Sequence, residues 1–271
     1  MSNTIASVLA SIAAAGTFYL KPARRSMTRA LVCEKLDPLV TVPVPEGELV
    51  FTCPTRRAAH DPVHLYTGEP ETIAWIDALP AGAVMWDIGA NVGTYALYAA
   101  RHRGARIVAF EPSAATYAVL CANIRRNRLD ALVDAYCIAL AGRTGLDRLY
   151  MAHAEAGQSM HGFGAPRTIT GAIAEPQTQT VPGFTIDRFC EVFAPPPPEH
   201  VKLDVDGLEH AIIAGGTQTL RRHTKSVLVE IDGAARDQGG GAIVAALAAA
   251  GFAEDKSFAR RPGSRNVLFR R

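Results

Sequence analysis

The chain has 271 residues, of which 48% are hydrophobic and 20% charged, with 23 glycines and 17 prolines. That composition excludes a disordered, collagenous or disulfide-scaffold protein, and the length suits one catalytic domain of about 150–250 residues plus a short extension. The net charge of +2, from 28 basic and 26 acidic residues, is too balanced for a nucleic-acid binder with one basic face.

The chain opens with an apolar stretch, Ile5 to Leu20, that carries no charge before Lys21. At sixteen residues it is short for a membrane span, and it lacks the basic leader of a signal peptide. It is expected to be a helix packed on the domain or on a partner. Residues 1–60 read as an N-terminal extension, a helix and then a hairpin of Leu39–Val44 and Leu49–Thr52 around the turn at Pro45-Glu46-Gly47. The five cysteines (Cys33, Cys53, Cys121, Cys137 and Cys190) form no zinc spacing. A reduced, cytoplasmic setting is expected, with Cys121 and Cys137 as small core residues.

From residue 61 to 271 the rhythm changes. Short apolar runs at 83–88, 106–110, 132–140, 201–205 and 226–231 alternate with helical stretches at 94–101, 114–126, 209–222 and 241–250. This predicts an α/β fold, a doubly wound and mostly parallel sheet. Phe252–Phe258 and Asn266–Phe269 fit a closing antiparallel hairpin. The alternation is broken by a glycine-rich insertion, 141–199, that ends on Pro195-Pro196-Pro197-Pro198. It is too long for an ordinary loop, and is expected to hold extra strands or a cover over the acceptor site.

The strongest local signal is Asp87-Ile88-Gly89-Ala90-Asn91-Val92-Gly93, placed between a strand and a helix. Glycines let a ligand approach the main chain, and the helix start offers free N–H groups. The pattern is not the dinucleotide G-x-G-x-x-G. Asp87 repels a pyrophosphate and suits a cationic amine. Glu111 ends the next strand, where a carboxylate accepts hydrogen bonds from ribose hydroxyls. A nucleoside with an amino-acid end and no phosphate satisfies both, and S-adenosylmethionine is such a ligand.

Three runs, Trp86 to Gly93, Ala109 to Ser113 and Lys202-Leu-Asp-Val-Asp-Gly-Leu-Glu209, resemble FkbM-type methyltransferases over roughly residues 65 to 235. Asp206 stands where many relatives carry Glu. The resemblance implies a Rossmann-like class I fold and S-adenosylmethionine-dependent O-methylation. It implies that Gly89, Ala90, Asn91 and Gly93 shape the loop around the methionine moiety with Asp87 beside it. Glu111, followed by Pro112, then holds the ribose, and Ile138-Ala139 flank the adenine.

Removing the acceptor proton calls for a base at the carboxyl ends of the strands. Asp204 is the first candidate, followed by Glu209, Asp206 and the insertion's His161; His153, His60 and His64 are weaker. Glu230 and Asp232, with Asp204, are a conceivable Mg²⁺ set, which is not favoured. The acceptor is expected to be a hydroxyl of a small molecule, sugar or glycoconjugate. Transfer to nitrogen or carboxylate, and a non-catalytic cofactor-binding protein, stay open as alternatives. No nucleic acid and no stable membrane insertion are expected among the partners, and a homodimer through the apolar segment stays open. A base-flipping enzyme is disfavoured, because aromatic content is only 7% and no N/D-P-P-Y run exists.

Overall fold

The computed structural model describes residues 2–231 and 240–271 and divides at Pro38 into two compact units. The first holds helices α1 (Ser2–Thr17) and α2 (Pro22–Leu36). The second begins with the hairpin β1 (Leu39–Val44) and β2 (Gly47–Thr52). The hairpin therefore belongs with the main unit, and the boundary falls at 38 rather than 60. The reason is packing: Leu49 and Phe51 are completely buried in the main core. Among the described residues no helix is long and apolar enough to cross a membrane.

After two short helical turns, α3 (His60–Val63) and α4 (Leu65–Gly68), comes α5 (Pro70–Asp77). The repeating unit follows: β3 (Val84–Ile88), α6 (Thr94–Arg103), β4 (Arg106–Phe110), α7 (Ala114–Arg126) and β5 (Val133–Tyr136). The insertion then runs β6 (Ala139–Leu140), β7 (Gly145–Met151), β8 (His161–Phe163), β9 (Arg167–Thr168), β10 (Gly171–Ala172), β11 (Gln177–Phe184) and α8 (Ile186–Phe193). The chain closes with β12 (His200–Leu203), α9 (Glu209–Ala214), α10 (Thr217–His223), β13 (Ser226–Glu230), α11 (Gly241–Ala249), β14 (Ala253–Glu254) and β15 (Asn266–Arg270).

The central sheet has seven strands in the order β14-β15-β13-β12-β3-β4-β5. Five are parallel, while β15 runs antiparallel to β13 and β14 antiparallel to β15. Both faces of such a sheet are covered, which explains the unbroken apolar runs that marked its strands. On one face Met85, Ile107, Ala109, Leu228 and Leu268 pack with the hairpin and helices α5 to α7. On the other, Trp86, Val108, Phe110, Leu203 and Val229 pack with α8 to α11. The winding reverses between β3 and β12, so a crevice opens at their carboxyl ends.

Two expected elements divide. The run 132–140 yields β5 in the central sheet and β6 in a second sheet of order β6-β11-β7-β8. The insertion is thus mainly folded β structure. The stretch 209–222 breaks at Gly215-Gly216, where an added Cβ on Gly216 meets Ile186 Cδ1 at 2.7 Å. The four-proline spacer is held by Trp86, whose indole N–H donates to the Pro196 carbonyl at 2.9 Å. Cys53 is buried, while Cys121 and Cys137 are half-buried instead of fully enclosed, and all five thiols are free.

Candidate active site

The glycine loop is fixed from two directions. Gly89 has φ +87°, and a Cβ there falls 1.9 Å from the Asp204 carbonyl oxygen, so the turn lies directly against β12. From the other side, buried Asn123 of α7 donates to the Val92 carbonyl (2.8 Å) and accepts from the Thr52 amide (2.7 Å). The turn after β3 is thereby tied to the hairpin through one helix residue.

Two adjoining cavities open at the crevice. The first, about 80 Å³ and mainly apolar, is walled by Ile88, Phe110, Pro112, Ile138, Ala139, Leu140 and the insertion's Leu149 and Phe163. Among its polar members Glu111 is buried and His161 half-buried. The second, about 240 Å³, is polar. It holds Asp87, Ala90, Thr94, Tyr95, Lys202 and Glu230, with Arg57, Asp61, Glu69 and Arg265. Gly89, Asn91, Ser159, Asp204 and Asp206 line both. Of the residues expected at the cofactor, Asp87, Gly89, Ala90, Asn91, Glu111, Pro112, Ile138 and Ala139 line these adjoining cavities, while Gly93 lines neither.

Glu111 is oriented by its own turn. Its Oε2 accepts the Asn91 amide (3.0 Å) and its Oε1 the Ser113 amide (2.8 Å). Burial pushes its carboxyl up to about 7 against those donors. Each oxygen keeps an unused lone pair for a hydroxyl donor. Asp87 is 1% exposed, and its Oδ1 has no partner in the protein. Burial pushes it up to about 6; the Lys202 charge opposes the shift, and Asp204 and Glu69 add to it. Thr94 Oγ1 and Asn91 Oδ1 are also buried without partners. Buried polar atoms are normally satisfied, so this set fits a ligand that brings its own donors.

Asp204 sits where the cavities join. Its Oδ2 accepts the Lys202 ammonium at 2.9 Å, and the side chain remains 28% exposed. Burial alone raises its carboxyl, but the Lys202 charge outweighs that and holds it below the usual range. Lys202 is buried, with its ammonium 5.2 Å from the Tyr95 ring centre, and the surrounding acids keep it protonated despite the desolvation. On the far side Glu230 hydrogen-bonds Asp204, is pushed up to about 8 by burial and by that neighbour, and pairs with Arg265 at 2.6 Å. The pair thus divides its protonation, Glu230 as the acid and Asp204 as the anion. Among the described residues no three His, Cys, Asp or Glu side chains group as metal ligands. Asp232, part of the conceivable Mg²⁺ set, lies outside the described residues.

The remaining candidates separate. His161 lines the apolar cavity, and neither ring nitrogen has a partner. Burial pushes its imidazole down to about 4, which keeps it neutral. Asp206 adopts φ +63° and its Oδ2 accepts the Met160 amide at 2.6 Å, with the His161 amide donating to the same carboxylate. It anchors the insertion to β12. Glu209 lines neither cavity: its Oε1 accepts the Val205 and Gly207 amides at 3.2 Å each, and so it shapes the turn after β12. His60 and His64 stack on each other with ring centres 4.6 Å apart; they and His153 line neither cavity. Sequence reading missed Lys202 as a site residue. Its signal was a cation inside the otherwise apolar strand Val201 to Leu203. Ser159 gave no signal, because only the folding of the insertion brings it to the crevice.

Comparison with known proteins gives the same direction. The Methyltransferase FkbM domain family matches residues 87–254. A 72-residue stretch is 38% identical to 31-O-demethyl-FK506 methyltransferase FkbM of Streptomyces tacrolimicus, covering 26% of this chain and 27% of that protein. The chain thus spans about a quarter of the curated relative it matches. Methyltransferase FkbM from Methylobacillus flagellatus is similar over 71% of this chain and 44% of its own, at 12% identity and a TM-score of 0.48. Aeropyrum pernix fibrillarin, solved with natively bound S-adenosyl-L-methionine, is similar over 85% of this chain and 92% of its own, at 12% identity and a TM-score of 0.45. The match over residues 87–254 takes in the acid-glycine turn, Glu111, the insertion and the Lys202–Glu209 run, and the chain belongs to the FkbM methyltransferase family.

Proposed function

We propose that the enzyme methylates a hydroxyl of a small molecule, sugar or glycoconjugate, with Asp204 receiving the acceptor proton. The observation that carries this is the position of Asp204, an anion held ionised by Lys202 at the junction of the two cavities. S-adenosylmethionine, when bound, supplies a methyl group activated by a sulfonium.

This chain's residues then divide the work. Glu111 accepts from the ribose hydroxyls. His161, neutral and with one donor and one acceptor nitrogen, meets the polar edge of the nucleoside between the walls of Ile138, Ala139 and Phe163. Asp87 takes the ammonium, its orphaned Oδ1 filled by the ligand. Gly89, Asn91 and the Asp206-anchored insertion would hold the reacting end of the cofactor and limit its freedom beside the acceptor. Asp204 would accept the hydroxyl proton, while the sulfonium would supply the methyl group by losing its sulfur–carbon bond and leave as the neutral thioether S-adenosylhomocysteine. On this reading His161 would contact the cofactor instead of serving as base, and Glu209 would act as a positioning residue through the turn after β12.

The test is transfer of labelled methyl groups from S-adenosylmethionine into an extract separated into lipid, glycan and small-molecule fractions. Label is expected in a hydroxyl-bearing fraction as an alkali-stable ether. Alkali-labile label marks a methyl ester and overturns the assignment to oxygen of a hydroxyl, as does label on nitrogen.

A further inference from the structure

We propose that the helical unit ending at Pro38 is a surface anchor that lies on an anionic lipid membrane. In α1, Ile5, Val8, Leu9 and Ile12 recur at i, i+3, i+4 and i+7 and so form one stripe. All four are open to solvent, at 60%, 53%, 60% and 61%. Outside the stripe, Thr17 is buried and its hydroxyl accepts from Arg29 Nε of α2 at 3.1 Å. At the tip between the helices the aromatic rings of Phe18 and Tyr19 are 68% and 72% exposed. An unshielded apolar stripe beside exposed aromatics marks an interaction surface.

Charge selects the occupant. The 38 residues carry five basic side chains and two acidic ones, a net +3, which leaves −1 for the other 233 residues. No acidic side chain occurs before Glu34, and Lys21 and Arg24 follow the aromatic tip directly. A second copy of this unit brings like charge against like charge. An anionic bilayer offers acyl chains to the stripe and headgroups to the cations. The sixteen residues of α1 extend about 24 Å at 1.5 Å per residue, short of the ~30 Å hydrocarbon core. The helix therefore lies in the interface plane with Phe18 and Tyr19 at headgroup depth.

The experiment is vesicle flotation of the full-length protein, with phosphatidylcholine alone and with about one third phosphatidylglycerol. Recovery with the anionic vesicles is expected to be at least about tenfold higher and to fall at high salt. Leu9→Asp with Ile12→Asp is expected to abolish recovery. Lys21→Glu with Arg24→Glu, a change of surface charge alone, is expected to reduce it about tenfold. Both pairs should keep the wild-type thermal transition and the wild-type affinity for S-adenosylhomocysteine. Equal recovery on neutral and anionic vesicles overturns the proposal, as does recovery on neither. A concentration-dependent dimer that Leu9→Asp dissolves, without vesicle binding, overturns it in favour of a second copy.

Discussion

Asp87 holds a carboxylate where solvent does not reach, and its cost and its use can be measured separately. Its carboxyl moves from an ordinary 3.8 to about 6. A raised carboxyl means that the folded state binds the extra proton, so stability from this group falls as pH rises from about 4 to 6 and is fully lost above that window. Asp87→Asn removes the penalty. At pH 8 the ligand-free protein is expected to melt higher, with a gain of up to about 3 kcal/mol, while affinity for S-adenosylhomocysteine drops at least about tenfold. Calorimetry and titration read the two effects. Glu111, pushed up to about 7, adds the same sign to binding: affinity should weaken steadily from pH 8 to 5.5, and a flat profile counts against both carboxylates as ligand contacts. Two further variants separate chemistry from binding. Asp204→Asn is expected to slow transfer at least about 100-fold with cofactor affinity retained. His161→Ala is expected to lose about tenfold in affinity with little change in the saturated rate; the reverse pattern returns His161 to the role of base.

At the scale of elements, α7 couples the hairpin to the glycine loop through Asn123 and Asn127. Asn127 exchanges two hydrogen bonds with Val50, at 2.9 and 2.8 Å, and Asn123 bridges Thr52 and Val92. Asn123→Ala removes the side-chain partner of the buried Val92 carbonyl and of the half-buried Thr52 amide. A loss of about 2–4 kcal/mol in denaturant unfolding is expected, together with weaker cofactor binding because Val92 lies in the loop. The same elements show how far the sequence could be read. Strands β3, β4, β12 and β13 announced themselves as apolar runs because burial on both faces forces that composition. Asp87, Gly89 and Glu111 were legible because their chemistry lies next to those strand ends. The insertion was not. Strand β11 is exposed or half-buried through Gln177-Thr-Gln-Thr and alternates buried with half-buried only over Val-Pro-Gly-Phe184, so it carries no apolar run. The break between α9 and α10 was equally hidden. Asp187 of α8, remote in sequence, accepts the Thr219 amide at 2.8 Å and so caps a helix start that no local residue signals.

For the whole molecule, the crevice has walls from two sheets. The central sheet supplies Asp87, Glu111 and Asp204, and the inserted sheet supplies His161, Phe163 and Leu149. Asp206 joins the two through the Met160 amide. A ligand that fills the crevice must therefore restrain both. Hydrogen exchange with S-adenosylhomocysteine is expected to slow together in residues 89–94 and 157–163, to the same degree at each ligand concentration. Protection confined to 89–94 would show that the inserted sheet is not part of the cofactor pocket.

The pairing of β3 with β12 also governs when this crevice can come into being. Val201 lies opposite Trp86, so neighbours at the centre of the sheet are separated by more than a hundred positions along the chain. During synthesis the amino-terminal strands must wait, with one long edge unpaired, until the insertion and the prolines beyond it have emerged. Closing a loop of that size carries a large entropic cost and slows assembly. The waiting edge is also the one most open to wrong pairing with another chain. The oily edge strand of a nascent chain, rather than the finished fold, is thus the form with the greatest need of a chaperone.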